Sequence, residues 1–284
     1  MNRIFYFWLK ISALLPMYLL NISALKFSTL LSLFGYRKEV ILTNLKKSFP
    51  NYSESELIKT KSFFYSHLGQ IIAESIKAFN ISRKEIENRV EFTNPDLVQT
   101  YLDQNRDVIM VLGHYGNWEW ALLATSHHFD QELVGIYKPL SATYWDEKVK
   151  KMRAKFGATL VSMKDSYRYL MKHNNKAKVI GIIADQTPSK DEINYWTDFL
   201  NQKTPVFLGT EKLAKKLNCP VVFTHIERIK RGKYKISYEL ITETPQEHSD
   251  GEITDLHTKL LQEKIKEKPQ HWLWSHKRWK HKQK

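Results

Sequence analysis

The chain has 284 residues, of which 42% are hydrophobic, with 10 glycines and 9 prolines, so it is neither disordered nor collagen-like. Its single cysteine, Cys219, excludes a disulfide framework and a zinc site built on cysteines. The net charge of +14 is concentrated at the ends: residues 1–50 and 262–284 each carry +6, and the stretch between them carries +2. Basic ends rich in Trp and Tyr are typical of anchors on an anionic membrane surface.

Residues 4–34 form an apolar segment interrupted by lysines. Its longest uncharged run, residues 11–25, has 15 residues, whereas a spanning helix needs about 20. A signal peptide is disfavoured because no small-x-small cleavage site follows. We expect a helix that lies in the membrane interface or inserts shallowly, and a single span or a helix buried against the domain stay open as alternatives. The apolar stripe of this helix consists of Ile11, Leu14, Leu15, Tyr18, Leu19, Ile22 and Leu25.

Beyond residue 37 the hydrophobic pattern is first helical and then alternates between strands and helices. A capping pattern at Ser53 predicts a helix through Phe79. Strands are predicted at 107–112, 133–137, 159–161, 178–184 and 221–225, helices at 117–127, 143–155, 165–173, 208–217 and 253–265, and an edge hairpin over 226–239. This alternation indicates an α/β fold, with a mixed, mainly parallel sheet flanked by helices. The predicted division is a membrane-associating N-terminal segment, 1–34, and one α/β domain, 35–284.

The strongest chemical signal is the segment 113–119, Gly-His-Tyr-Gly-Asn-Trp-Glu, directly after a predicted strand. On a continuous helix, residues five apart such as His114 and Glu119 diverge by about 140°. With His114 in the turn before the helix and Glu119 in its first turn, the carboxylate can reach the imidazole and leave its other nitrogen as a general base. Sites in open α/β sheets form beyond the carboxyl ends of strands, where this turn lies.

The surroundings of this pair restrict its chemistry. Gly113 and Gly116 are expected to allow a substrate to approach the backbone closely. A second pair with the same spacing, His127 and Glu132, lies in a polar run and is expected to be solvated. No serine or cysteine stands in a nucleophile pattern beside His114, so the pair favours deprotonation of a substrate hydroxyl over an acyl-enzyme. A metal is disfavoured because a third ligand is missing, and a polar turn with a satisfied histidine is the structural alternative.

Eight short blocks along most of the chain stand in a recognisable order and spacing. They are residues 36–37, 44–50, 113–119, 137–139, 153 with 157, 185–186 with 188, 207–209 and 269–279. In these blocks the sequence resembles the lauroyl/myristoyl-type lipid A biosynthesis acyltransferases of the lysophospholipid acyltransferase superfamily. It departs from the family pattern at Leu208, where the family has Phe, and at Gln270, where it has Glu.

The resemblance implies O-acyl transfer from an acyl-carrier-protein or acyl-CoA thioester to a lipid hydroxyl, with a lipid A precursor as the expected acceptor. It places the protein at the cytoplasmic face of the cell inner membrane and implies neither a metal nor a bound cofactor. The catalytic residues would be His114, the base, and Glu119, its partner. Substrate binding is expected at Asn117, Lys138, Arg153, Asp185 and Gln186, the two cations being suited to acceptor phosphates.

Other functions stay open from the sequence alone. Relatives of this family acylate amino-lipids and glycolipids, and the shape of the pocket selects the acceptor. A non-catalytic protein that binds membrane or nucleic acid would use the basic, Trp-rich C-terminal end, but the nearly neutral middle of the chain argues against nucleic acid as a partner. Arg278, in that end, is expected either to anchor it or to be solvated.

Overall fold

The computed structural model describes residues 2–172 and 176–283, so the last residue of the predicted helix 165–173 lies outside the described residues. The helices in these ranges are α1 (Asn2–Leu14), α2 (Met17–Leu33), α3 (Lys38–Ser48), α4 (Glu54–Ala78), α5 (Arg83–Glu87), α6 (Asp96–Asp103), α7 (Trp118–His128), α8 (Thr143–Arg153), α9 (Met163–Leu170), α10 (Gly209–Leu217) and α11 (Glu252–Glu267). The strands are β1 (Val90–Phe92), β2 (Val108–Leu112), β3 (Glu132–Tyr137), β4 (Thr159–Ser162), β5 (Lys178–Ile183), β6 (Tyr195–Phe199), β7 (Gln202–Val206), β8 (Val221–Lys230) and β9 (Lys233–Thr242).

Seven strands form one sheet in the order β1-β9-β8-β2-β5-β3-β4, and β6 and β7 form a separate hairpin. In the large sheet only β8 and β9 pair in antiparallel fashion, and every other neighbouring pair is parallel. Helices from both halves of the chain cover the sheet, and the predicted mixed, mainly parallel α/β architecture is confirmed.

The register of the central strands determines which turns lie side by side. Leu112, the last residue of β2, pairs with Ile183, the last residue of β5. The amide of Ala184 donates to the carbonyl of Leu112 at 3.0 Å, so the pairing continues past the end of β5. Because parallel strands end at the same edge of a sheet, residues two positions further along each chain leave that edge together.

The hairpin β8–β9 differs from the prediction. A strand and a separate edge hairpin were expected between 221 and 239, but two ten-residue strands form one hairpin that turns between Lys230 and Lys233. The hairpin does not lie at the sheet edge, because β1 pairs with the outer side of β9. The strands β1, β6 and β7 were not predicted. β1 has only three residues, and β7, the partner of β6, contains Pro205.

The apolar N-terminal segment is broken into α1 and α2 at Pro16. One side packs on α4 so closely that a Cβ added at Gly69 would lie 2.7 Å from the carbonyl oxygen of Ala24. The residues buried on this side are Ala13, Met17, Leu20, Ala24 and Ser28. Among the described residues no single helix is long and apolar enough to cross a membrane; α2 and α3 meet those criteria only as a pair, with a bend of 87° between them.

The opposite side of α1 and α2 exposes the predicted apolar stripe. Tyr18 is 64% exposed and Ile22 51%, and of the seven stripe residues only Leu19 is half-buried. The segment therefore packs on the domain with one side, as the alternative of a helix buried against the domain expected. Its other side is apolar and has no cover from the described chain.

A fully buried carboxylate on α4 connects the main parts of the fold. Oε1 of Glu74 accepts hydrogen bonds from Gln70 Nε2 at 2.9 Å and from the amide of Gly232 at 3.1 Å. Oε2 accepts from Asn117 Nδ2 at 2.7 Å and from the hydroxyl of Tyr234 at 2.6 Å. Burial raises the pKa of Glu74, while the hydrogen bonds from Tyr234, Gln70 and Asn117 oppose that shift. The side chain thus fastens α4 to the hairpin β8–β9 and to the start of α7.

Replacing Glu74 by Gln is expected to destabilise the protein by about 1–3 kcal/mol, because an amide NH2 would then face donors that need an acceptor. Urea denaturation of purified protein measures the change. Glu263→Gln, at an exposed position on α11, is the control and should change stability by less than about 0.5 kcal/mol. Equal stability of the two variants would show that Glu74 is not needed as a carboxylate acceptor.

Candidate active site

The turns after β2 and β5 bring His114 and Asp185 into contact. The imidazole Nδ1 of His114 lies 2.6 Å from Oδ1 of Asp185, and the backbone amide of His114 donates to Oδ2 at 2.7 Å. Burial alone would raise the pKa of Asp185, but the charge and hydrogen bonds of His114, with a bond from Trp272, lower it to about 2. Asp185 is therefore ionised at neutral pH and is the hydrogen-bond acceptor for the Nδ1–H of His114.

Glu119 has a different partner from the one predicted. Its carboxylate forms a two-pronged ion pair with Arg153, with Nε to Oε2 at 2.9 Å and Nη2 to Oε1 at 2.5 Å. The predicted contact between Glu119 and the His114 ring is wrong, because the strand register places Asp185 on Nδ1 while Glu119 faces α8. Burial would lower the pKa of Arg153, but the hydrogen bond and charge of Glu119 outweigh it and raise this pKa.

The nitrogen of His114 that Asp185 does not hold lies at a cavity of about 650 Å³. Nε2 is 3.2 Å from the side-chain amide nitrogen of Gln186, and the ring meets Trp118 edge to face with centroids 4.9 Å apart. The polar and charged side chains of the cavity include His114, Glu119, Lys138, Arg153 and Gln186. Its apolar wall includes Leu112, Leu122, Leu133, Ile136, Leu160 and Leu213.

Of the five predicted substrate-binding residues, Lys138, Arg153 and Gln186 line this cavity. Asp185 does not, because it lies behind His114 as the partner of the imidazole. Asn117 is 1% exposed and caps α7: its Oδ1 accepts from the amide of Trp120 at 2.9 Å, and its Nδ2 donates to Glu74. Both polar ends of Asn117 are engaged within the protein, so its place is structural rather than substrate-facing.

The second motif with the same spacing is not assembled into a site. His127, in the last turn of α7, pairs through Nε2 with Glu87 of α5. Glu132 instead accepts hydrogen bonds from the hydroxyls of Thr159 and Tyr169. His127 and Glu132 thus have different partners, and both are half-buried rather than solvated as expected.

The two glycines beside His114 make room for the protein itself rather than for a substrate. A Cβ at Gly113 would lie 2.7 Å from Leu261 and 3.1 Å from the carboxylate of Asp185. Gly116 has φ +64°, and a Cβ there would lie 2.5 Å from the carbonyl oxygen of Ile226. The expectation that these glycines admit substrate to the backbone is therefore wrong.

The residue that the sequence did not reveal is Trp272, whose indole N–H donates to Oδ2 of Asp185 at 2.7 Å. Its signals were its place in the block 269–279 and the aromatic content of the C-terminal end, which suggested a surface for membranes or nucleic acid. In the structure the C-terminal tail, residues 269–283, runs beneath the His114 turn, and Trp272, Trp274 and Arg278 are buried in it. The solvated-end alternative for Arg278 is thus wrong.

A histidine held by an aspartate at the carboxyl edge of parallel strands, beside a cavity with an apolar wall, is an arrangement that lets an α/β enzyme move a proton at a bound substrate. In residues 2–172 and 176–283, no group of three or more His, Cys, Asp or Glu side chains could hold a metal ion. The family model of the bacterial lipid A biosynthesis acyltransferases matches residues 2–281. The chain belongs to this family and is an acyltransferase. No individual curated protein matches it.

Replacing Gly116 by Ala is expected to destabilise the protein more than the same change at Gly35. The two positions have nearly the same φ, +64° and +63°, but the nearest atom to a Cβ at Gly35 is Cβ of Lys38 at 3.8 Å, whereas a Cβ at Gly116 would meet backbone. The backbone conformation alone should cost about 1–2 kcal/mol at each site, and the contact with Ile226 should add to this at Gly116. Thermal unfolding of the two variants gives the comparison, and equal losses would show that the contact relaxes freely.

Proposed function

We propose that this acyltransferase moves a fatty acyl chain from an acyl-carrier-protein or acyl-CoA thioester to a hydroxyl of a lipid A precursor, with His114 as the general base. The observation that carries the proposal is the pairing of His114 Nδ1 with Asp185, which leaves Nε2 as the basic nitrogen beside the cavity. Family membership supplies the lipid A acyltransferase class.

The reaction proceeds without a protein nucleophile. The acceptor hydroxyl takes the place of the Gln186 amide beside Nε2 and gives its proton to that nitrogen as its oxygen attacks the thioester carbon. Asp185 stabilises the imidazolium that forms. The tetrahedral intermediate collapses with cleavage of the carbon–sulfur bond, and His114 returns the proton to the departing thiolate. The displaced Gln186 amide is a hydrogen-bond donor within reach of the developing oxyanion.

The apolar wall of the cavity supports binding of an acyl chain. The strands β2, β3 and β5 contribute its floor, and residues of α7, α9 and α10 contribute to its sides. Burying apolar chain against these side chains is favourable by roughly 0.8 kcal/mol per CH2 group. The same wall excludes water from His114, which protects the thioester from hydrolysis.

The charged side chains of the cavity divide into two roles. Glu119 engages two nitrogens of Arg153, which leaves Nη1 as the nitrogen outside that pair, so Arg153 acts first as the partner of Glu119. Glu119 positions the Arg153 side chain of α8 in the cavity beside His114. It is not the partner of the His114 ring. Lys138, which follows β3, forms no ion pair within 4.0 Å with any described residue. It is the cation we assign to a phosphate of the donor or acceptor.

The N-terminal segment supports binding to the cytoplasmic face of the inner membrane. Its exposed apolar side chains continue from the stripe to the start of α1, where Phe5, Phe7 and Trp8 are each at least 60% exposed. A groove between α1 and α8 adds positive charge next to this apolar face, with Arg3, Lys10 and Lys148 among its lining residues. Apolar side chains flanked by cations are the combination that binds an anionic lipid surface.

Lipid mass spectrometry of cells with and without the gene tests the proposal. A lipid A species that gains the mass of one acyl chain supports it, whereas a gain on an amino-lipid or glycolipid would move the activity to another acceptor. When the variants are expressed in cells lacking the gene, His114→Ala should give about 10²–10⁴-fold less product than the unaltered protein, because the base is lost. Asp185→Asn should reduce it strongly, because the amide can hold the wrong tautomer of His114.

Two further variants separate the roles. Glu119→Gln keeps the shape but weakens the ion pair with Arg153, so a smaller loss than that of Asp185→Asn is expected. His127→Ala is the control and should leave the product nearly unchanged, since His127 pairs with Glu87 away from the cavity. Full activity of Asp185→Asn alongside an inactive Glu119→Gln would contradict the assignment of Asp185 as the partner of His114.

Membrane binding through α1 is tested by replacing Phe7 and Trp8 together with Glu. Point changes are preferable to deleting the segment, because deletion would uncover the core that Leu20 and Ala24 cover. Each large apolar side chain contributes roughly 1.5–3 kcal/mol when buried, so the membrane-bound fraction should fall on the order of 100-fold or more. Fractionation of cell lysates measures it.

The matched control for this experiment is Leu256→Glu, an exposed leucine on α11, which should leave the protein on membranes. High salt alone should not release the unaltered protein, because buried apolar area is little screened. Full retention of the Phe7 and Trp8 double variant would show that another part of the chain holds the membrane.

A further inference from the structure

The carboxylate of Asp185 is held by three donors, and only two belong to His114. Oδ1 receives the Nδ1 proton of His114, while Oδ2 receives the backbone amide of His114 and the indole N–H of Trp272, both at 2.7 Å. The indole bond is the one side-chain contact among these that comes from outside the two turns that form the site. It fixes the rotation of the carboxylate about its side-chain bond, and with it the position of Oδ1.

The position of Trp272 is itself fixed by the His114 turn. The amide of Leu273 donates to the carbonyl of His114 at 3.1 Å, and the amide of Gly116 donates to the carbonyl of His271 at 3.1 Å. Tyr115 and Trp272 form an isolated antiparallel bridge between these bonds. The indole is 2% exposed, so it has little freedom to rotate.

The same tail also holds the turn that carries Asp185. The hydroxyl of Thr187 donates to the carbonyl of Arg278 at 2.5 Å, and the amide of Thr187 points to Nε2 of His276 at 3.3 Å. Arg278 is buried and donates to the carbonyl of Pro205 at 2.8 Å. One segment of chain therefore binds both halves of the pair formed by His114 and Asp185.

We propose that Trp272 is a positioning residue for catalysis, which holds the carboxylate of Asp185 in line with Nδ1 of His114 through its indole N–H. This inference rests on the proposed role of His114 as the base. It assigns to the C-terminal tail a function in the chemistry that is separate from membrane binding.

Loss of the indole N–H has an electrostatic consequence that loss of packing does not have. A carboxylate with one donor fewer binds the remaining proton donors more strongly, so it favours the charged form of His114. The other charged or titratable groups near Asp185 are Arg278, His276 and His257. A substitution at Trp272 leaves these groups unchanged. A change in the pH at which His114 gains its proton therefore reports on the indole hydrogen bond.

The experiment compares Trp272→Phe with Trp274→Phe in the full-length protein. Trp274 is equally buried, but its indole donates to the carbonyl of Pro269 instead of to Asp185. Both changes remove packing area, and only the first removes a donor from the carboxylate. For Trp272→Phe we expect a roughly 10-fold loss in the rate of acyl transfer, which is within the effect of one hydrogen bond to a charged group.

A second measurement does not depend on the acyltransferase assay. Diethyl pyrocarbonate reacts with the neutral imidazole, and peptide mass spectrometry at a series of pH values gives the pH at which half of His114 is reactive. This midpoint should move to higher pH in Trp272→Phe, stay unchanged in Trp274→Phe, and move to lower pH in Asp185→Asn. If acyl transfer is not observed even for the unaltered protein, the proposed function fails, while the labelling still tests the link from Trp272 to His114.

An unchanged labelling midpoint in Trp272→Phe, or an equal shift in Trp274→Phe, would overturn the inference. If Trp272→Phe does not fold, 3-benzothienylalanine at position 272 replaces only the N–H by sulfur and keeps the shape of the ring. The same shift in midpoint is expected for this variant, and its absence would equally overturn the role of the indole N–H.

Discussion

The pairing of β2 with β5 is the constraint on which the site depends. Because Leu112 and Ile183 end their strands opposite each other, the two following turns leave the sheet together and place His114 on Asp185. A shift of the register by one residue would move the carboxylate away from Nδ1 and turn the strand side chains to the other face of the sheet. The buried, parallel centre of the sheet therefore serves the chemistry as well as the core.

Two buried carboxylates hold the two ends of the His114 turn. At its start, Asp185 accepts the backbone amide of His114, and at its end Glu74 accepts the side chain of Asn117, which caps α7. Gly116 bends the backbone between these points with a positive φ that other residues rarely adopt. Burying two carboxylates has a desolvation cost, which the hydrogen-bond donors on each carboxylate oxygen offset. The turn is therefore fixed at both ends.

The sequence predicts best what local chemistry decides. The capping box at Ser53, the strand before His114 and the helix after Asn117 were all foreseen, because each depends on residues within a few positions. The sequence did not predict that Asp185 is the partner of His114 and that Glu119 pairs with Arg153. The partner of His114 depends on the register between two strands that lie about seventy residues apart in the chain. A histidine and a glutamate five residues apart can either contact each other or have separate partners, and only the tertiary structure distinguishes these two arrangements.

Helix α2 and the His114 turn belong to one polar network. Asn21 of α2 accepts a hydrogen bond from Gln70 at 2.7 Å, Gln70 also binds Glu74, and Glu74 holds Asn117 at the start of α7. Asn21 is half-buried at the border between the buried side of α2 and the exposed apolar side that we assign to the membrane. The links from Gln70 to Glu74 and from Asn117 to Glu74 are buried and the link from Gln70 to Asn21 is partly buried. Because such hydrogen bonds are costly to leave unmade, the position of α2 and that of the His114 turn are set together. In the function that we propose, this network fixes the position of the base relative to the lipid surface on which α2 would lie.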